Sequence, residues 1–124
     1  MNSNFKLSKR SLEKLKGVDE SLVSVVKRAI EITEIDFGVT EGLRTVERQA
    51  ALVKAGASKT MKSMHLIGRA VDLVAYVDGE VRWDWPLYDK IAKAMKAASE
   101  EVGVRIEWGG DWVTFKDGPH FQLA

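Results

Sequence analysis

The stretch RAVDLVAYVDGEVRW, Arg69 to Trp83, decides how this chain folds. Two β-prone runs flank an Asp78-Gly79 pair, and Asp-Gly suits a two-residue type I′ turn, so the segment reads as a β-hairpin. Upstream the pattern is mostly helical. Residues 8–16 predict a short helix with Ser8 as its cap. Asp19 caps a second, in which Leu22, Val25, Val26, Ala29 and Ile30 recur on one face. IDFGVTEG reads as a strand ending at Gly42, and Thr45 caps a helix through VERQAALVKA that Gly56 closes. GASKTMKSMHLIG, polar and turn-rich, reads as a loop. Beyond the hairpin, Asp84, Trp85 and Pro86 open a helix with proline in its tolerated first turn. Its apolar stripe is Leu87, Ile91, Ala94, Met95, Ala98 and Val102, and Gly103 ends it. A strand VRIEW, a Gly109-Gly110 turn and a final strand PHFQL complete the chain. Helices followed by hairpin-linked strands with one inserted helix predict an α+β domain, a small antiparallel sheet with helices packed on it.

The chain has 124 residues, 45% hydrophobic and 30% charged. That length suits one domain, expected to span 1–124, able to bury enough surface to fold without staples. There are no cysteines, which excludes a disulfide framework, a cysteine nucleophile and thiolate metal ligands. A net charge of +1 argues against a nucleic-acid binder. The basic cluster Lys6, Lys9, Arg10, Lys14 and Lys16 reads as a solvated helix face. No segment has signal-peptide character, and none approaches the roughly 20 apolar residues of a membrane span. The expectation is a soluble protein made in the cytoplasm, with no membrane insertion and no dimer signal, delivered by something else if its target lies beyond a membrane.

Asp72 sits at the centre of the apolar run AVDLVA. Alternation puts it on one strand face with Ala70 and Val74. Buried and unpaired, such a carboxylate costs several kcal/mol in rough terms. It must therefore meet an arginine, solvent or a metal. His65 lies in the loop feeding this strand and His120 at the start of the last one; each alone reads as an ordinary surface or half-buried residue. Together His65, Asp72 and His120 offer N, N and O ligands for zinc, and three protein ligands with an open fourth position characterise catalytic rather than structural sites. Asp117 reads equally as a turn residue in KDGP or as a general base beside the metal. Arg44 reads as a surface charge, as the partner of Asp72, or as the group that holds a developing oxyanion. Ser63 reads as a polar loop residue with substrate contact as the minor option. Trp108 and Trp112, flanking the Gly-Gly turn, either line a groove or pack under the sheet.

SMHLIGRAVD, with GLRT before it and WGGDW and DGPHF after it, resembles the zinc peptidases of the D-alanyl-D-alanine carboxypeptidase (VanY-like) family. It is more closely similar to the L-alanyl-D-glutamate endopeptidases that phages use as endolysins. The resemblance runs from about Phe37 to Leu123. It implies zinc on His65, Asp72 and His120, with Asp117 as general base and Arg44 stabilising the oxyanion. Ser63 and Trp108 are the candidate substrate contacts. The implied reaction is hydrolysis of the peptidoglycan stem peptide between L-Ala and D-Glu. The rivals are a D,D-carboxypeptidase removing terminal D-Ala and a non-catalytic, zinc-containing wall-binding module. The implied setting is a bare catalytic monomer without a wall-binding domain. It would be synthesised in a host cytoplasm and act in the periplasm or cell wall after release, with a holin giving access.

Overall fold

The computed structural model describes residues 5–58, 61–114 and 116–124. The elements follow in the order α1 (Lys9–Lys14), α2 (Glu20–Ile32), β1 (Asp36–Glu41), α3 (Val46–Lys54), β2 (Ala70–Val77), β3 (Glu80–Arg82), α4 (Trp85–Val102), β4 (Ile106–Trp108) and β5 (His120–Leu123). The expected caps form. Ser8 Oγ accepts from the Ser11 amide, Asp19 Oδ1 from the Ser21 amide and Thr45 Oγ1 from the Arg48 amide, each satisfying a donor that the first helical turn leaves unpaired. Asp78 and Gly79 both have positive φ, 53° and 81°, as a type I′ turn requires.

The sheet has five strands, antiparallel throughout, in the order β1-β2-β5-β4, with β3 also paired to β2. Strand alternation gives β2 two unlike faces. Val71, Leu73 and Ala75 point into the core with Phe37, Val39 and Phe121, where they meet Leu22, Val25, Val26 and Ala29 of α2 and Ile91, Met95 and Ala98 of α4. Each large side chain buried in this way contributes about 1.5–3 kcal/mol relative to exposure. Asp72, Val74 and Tyr76 occupy the other face. The outer edge of β1 is blunted by α1, because the Val39 amide donates to Ser11 Oγ at 2.9 Å rather than offering itself to another chain.

Three local features differ from the sequence-based expectation. First, β1 carries a bulge between Val39 and Glu41, so that Glu41 lies opposite Asp72. An extra residue in one strand re-aims the side chains that follow it. Second, the expected loop through Met64 contains a 3-10 turn, Met64–Ile67, capped by Ser63 and ended by Gly68. Lys59 and Thr60 of that loop lie outside the described residues. Third, β3 is only three residues long, leaving Trp83 beyond the ladder. Gly68 has φ +71° and sits so close to Gly17 that a Cβ would lie 2.4 Å from the Gly17 carbonyl oxygen. The left-handed turn and the close approach both require glycine there, and they swing His65 back over the sheet.

Candidate active site

Register puts the site together. Asp72 pairs directly with His120 across β2 and β5 and with Glu41 across β1 and β2, so three polar side chains share one row on the face away from the core. His65 enters from the 3-10 turn. Its Nε2 lies 3.2 Å from Asp72 Oδ1, and His120 Nδ1 lies 3.4 Å from the same oxygen. The three ligand atoms are all within 4.8 Å of one another. A tetrahedral ion with ligands at about 2.0–2.1 Å spaces them about 3.3–3.4 Å apart, so the donor set fits a single small cation.

The partners on the far side of each ring fix which nitrogen is available. His65 Nδ1 donates to the Gly42 carbonyl at 2.8 Å, leaving Nε2 as the nitrogen on the side of Asp72. His120 Nε2 donates to Gln122 Oε1 at 2.8 Å, and the Gln122 amide nitrogen donates to Glu107 Oε2 at 3.0 Å. The carboxylate accepts only, so the amide is held with its oxygen towards His120, and Nδ1 of that ring is free to ligate. Outer partners of this kind set imidazole orientation and basicity. Replacing Gln122 with leucine is therefore expected to weaken metal binding by about 10–100-fold, read by competition with a chromophoric chelator, with the fold retained by circular dichroism.

Asp72 serves three partners with two oxygens. Oδ1 faces both histidines, and Oδ2 lies 3.5 Å from Arg44 Nη2. Both readings of this residue, metal and arginine, thus find a place. Burial alone would raise its pKa, but the hydrogen bonds and charges of His120 and His65 hold it well below the usual carboxylate range. For His120, burial works against protonation, yet its bonds to Asp72 and Gln122 leave its pKa raised. Asp117 is raised by burial and by the charge of Asp72, which makes it a stronger base than an ordinary carboxylate.

The site opens into a cleft of about 580 Å³, lined among others by Arg44, Ser63, Trp83, Trp112 and Asp117. Arg44 is buried and pinned. Nε and Nη2 donate to the two oxygens of Glu41 at 2.8 and 2.7 Å, and Nη1 donates to Gln49 Oε1 at 2.7 Å. Burial would raise the Glu41 pKa, but the Arg44 bond keeps it low. Asp117 is anchored through its backbone, its amide donating to the Gly109 carbonyl at 3.0 Å. A Cβ on Gly109 would lie 2.3 Å from the Asp117 carbonyl oxygen.

Two of the expected substrate contacts have structural duties. Ser63 lines the cleft, and its Oγ also accepts from the His65 amide at 3.2 Å, capping the turn that carries this ligand. Trp108 is buried, stacks on Phe121, and donates from Nε1 to the Gly118 carbonyl at 2.7 Å. It lies beneath the site rather than in it, because a buried indole N–H needs an acceptor and the hairpin turn supplies one. Of the two tryptophans flanking the Gly-Gly turn, Trp112 is the one in the cleft, 5.2 Å from the His120 ring. Glu41, Gln49, Gln122 and Trp83 were not singled out from sequence. Gln122 had a signal, since two residues along a strand places it on the face of His120.

A sheet face bearing a His-Asp-His ligand set, with a carboxylate of raised pKa beside it, defines a small α+β metallopeptidase. The chain belongs to the phage L-alanyl-D-glutamate peptidase family, whose family model matches residues 3–123. It is 34% identical over 113 residues to the L-alanyl-D-glutamate peptidase of Escherichia phage T5, covering 88% of this chain and 82% of that one. It is 36% identical over 117 residues to the L-alanyl-D-glutamate peptidase of Listeria phage A118, covering 92% of this chain but 41% of that longer protein. The crystal structure of Serratia marcescens L-Ala D-Glu endopeptidase ChiX superposes with a TM-score of 0.91 at 48% identity, covering 96% of this chain and 90% of that one.

Proposed function

We propose that this chain is a zinc-dependent peptidoglycan peptidase that hydrolyses the stem peptide between L-Ala and D-Glu. The observation that carries the reading is the convergence of three ligand atoms, Asp117 and Arg44 on one cleft, in a chain of this family. His65 Nε2, His120 Nδ1 and Asp72 Oδ1 would hold the ion. When bound, zinc supplies a Lewis acid that makes water acidic near neutral pH and polarises a carbonyl. Asp117 takes the proton of the attacking water on its carboxylate and returns it to the nitrogen of the departing D-Glu amine. Arg44, fixed by Glu41 and Gln49, offers its remaining N–H groups where negative charge develops on the carbonyl oxygen. A guanidinium already locked in place loses little freedom when the transition state forms.

No helix among the described residues is long and apolar enough to cross a membrane. A single catalytic unit over 1–124, a monomeric state and access to the periplasm or wall through a holin belong to the same proposal. Mass spectrometry of digested, purified wall tests it. New N-terminal D-Glu on the released peptides is expected, and loss of a single terminal alanine would instead mean carboxypeptidase activity.

A further inference from the structure

Trp83 lines the catalytic cleft. Beyond it lies a second basin of about 230 Å³, lined by Ser8, Arg10, Thr40, Tyr76, Val81 and Trp83 among others. Thr40 and Trp83 line both, so the two spaces adjoin. Strand geometry explains why they are neighbours. Asp72, Val74 and Tyr76 share the face of β2 turned from the core, and Val81 lies opposite Tyr76 on that face. From Asp72 to Tyr76 is about 13 Å at about 3.3 Å per residue, the reach of four extended residues.

The basin's chemistry is one-sided. Its floor is Val74, Tyr76, Val81 and Trp83, and its lining holds one cation, Arg10, and no acid. Trp83 is 65% exposed and Val81 44%, and the two stand side by side on this face with Tyr76, an apolar floor open to a ligand. Arg10 is exposed and makes no ion pair among the described residues.

The direction of the substrate follows from the base. Asp117 protonates the leaving amine, so the D-Glu side of the peptide departs past Asp117. That residue shares the cleft lining with Trp83. The Tyr88 ring lies against the neighbouring Gly118 and 6.5 Å from the Trp83 ring. The leaving side of the scissile bond therefore faces the second basin.

We propose that this basin binds the carboxylate-bearing residues of the stem peptide beyond D-Glu, with Arg10 pairing their negative charge and Tyr76, Val81 and Trp83 forming the floor. The inference rests on the L-Ala-D-Glu reading above. A glycan strand, neutral at this point, would have no use for the cation.

The test uses the zinc-loaded full chain and two synthetic peptides. One is L-Ala-γ-D-Glu-diaminopimelate-D-Ala; the other stops at D-Glu as its γ-amide. Arg10→Glu is expected to raise KM on the long peptide about three- to tenfold with kcat unchanged, as reversal of one partly exposed charge implies. It should leave KM on the short peptide alone, and Arg10→Lys should behave like wild type. The difference should shrink at about 0.5 M salt, where the screening length falls below about 5 Å. An equal KM change on both peptides, or none on the long one, overturns the proposal. A defect of Arg10→Glu confined to glycan-linked muropeptides also overturns it, and assigns the basin to sugar. Wild type that cuts neither peptide between L-Ala and D-Glu sinks the parent reading and this one with it, an outcome distinct from the others.

Discussion

Asp117→Ala is expected to lower kcat on wall peptides by about 10²–10⁴-fold, the usual worth of a general acid–base, while the chain still takes up zinc. The side chain is separable from the scaffold. The turn around it is held by main-chain bonds, from the Asp117 amide to Gly109 and from the His120 amide to the Asp117 carbonyl, and by the Trp108 indole on Gly118. None of these needs the carboxylate, nor does any of the three ligand atoms belong to it. Asp117→Asn keeps the shape and removes the proton acceptor, so it should fail as badly as alanine. Lysis of purified wall at the wild-type rate by either variant would exclude Asp117 from the reaction.

Loss of a ligand should be as severe and should differ in kind. His65→Ala and His120→Ala are each expected to lose both metal content, by atomic absorption, and activity. Chelation of the wild type should abolish wall digestion, and added zinc should restore it. At a thousandfold excess over Kd, the ion stabilises the folded state by about 4 kcal/mol, a Tm rise on the order of 10–20 °C for a chain of this size. The pH dependence has a definite sign. His120 has a raised pKa in the folded state, so its contribution is present below about pH 6.5 and fades as pH rises through the folded value. Asp72 has a lowered pKa, so its contribution is present above about pH 4 and fades as pH falls. The metal-free protein should therefore be most stable between these limits. Zinc must displace the His120 proton, so its affinity should climb as pH rises past neutrality, with proton release visible by calorimetry in buffers of different ionisation enthalpy. Retention of full activity after exhaustive chelation would defeat the metal assignment.

Much of the fold was legible because local signals and global architecture agree. Asp78-Gly79 marks its turn by backbone chemistry alone, and the stripe from Leu22 to Ile30 marks the buried face of α2. The candidate ligand set was legible because His65 and Asp72 are charged or ligating groups in places where a core would not put them. Other parts depend on pairing between distant strands. Nothing within β1 announces the bulge that turns Glu41 towards Asp72, since the extra residue exists only relative to β2. Gln49 and Gln122 carry no charge and look like surface residues until their partners are placed; Gln49 is in fact wholly buried between Arg44 and Ser58. For Trp108 the sequence left two places open, the groove and the underside of the sheet, because nearness to the Gly-Gly turn does not choose between them. The indole takes the second, stacking on Phe121 and donating to the Gly118 carbonyl.

The two long helices, α2 and α4, pack against the same side of the sheet, and the ligand row lies on the other. A reaction centre on such a floor can be approached laterally. A bond in the middle of a strand can settle onto it without the strand being threaded from a free end. In a covalently closed mesh, where free ends are scarce, that difference separates an enzyme that trims tails from one that cuts the net.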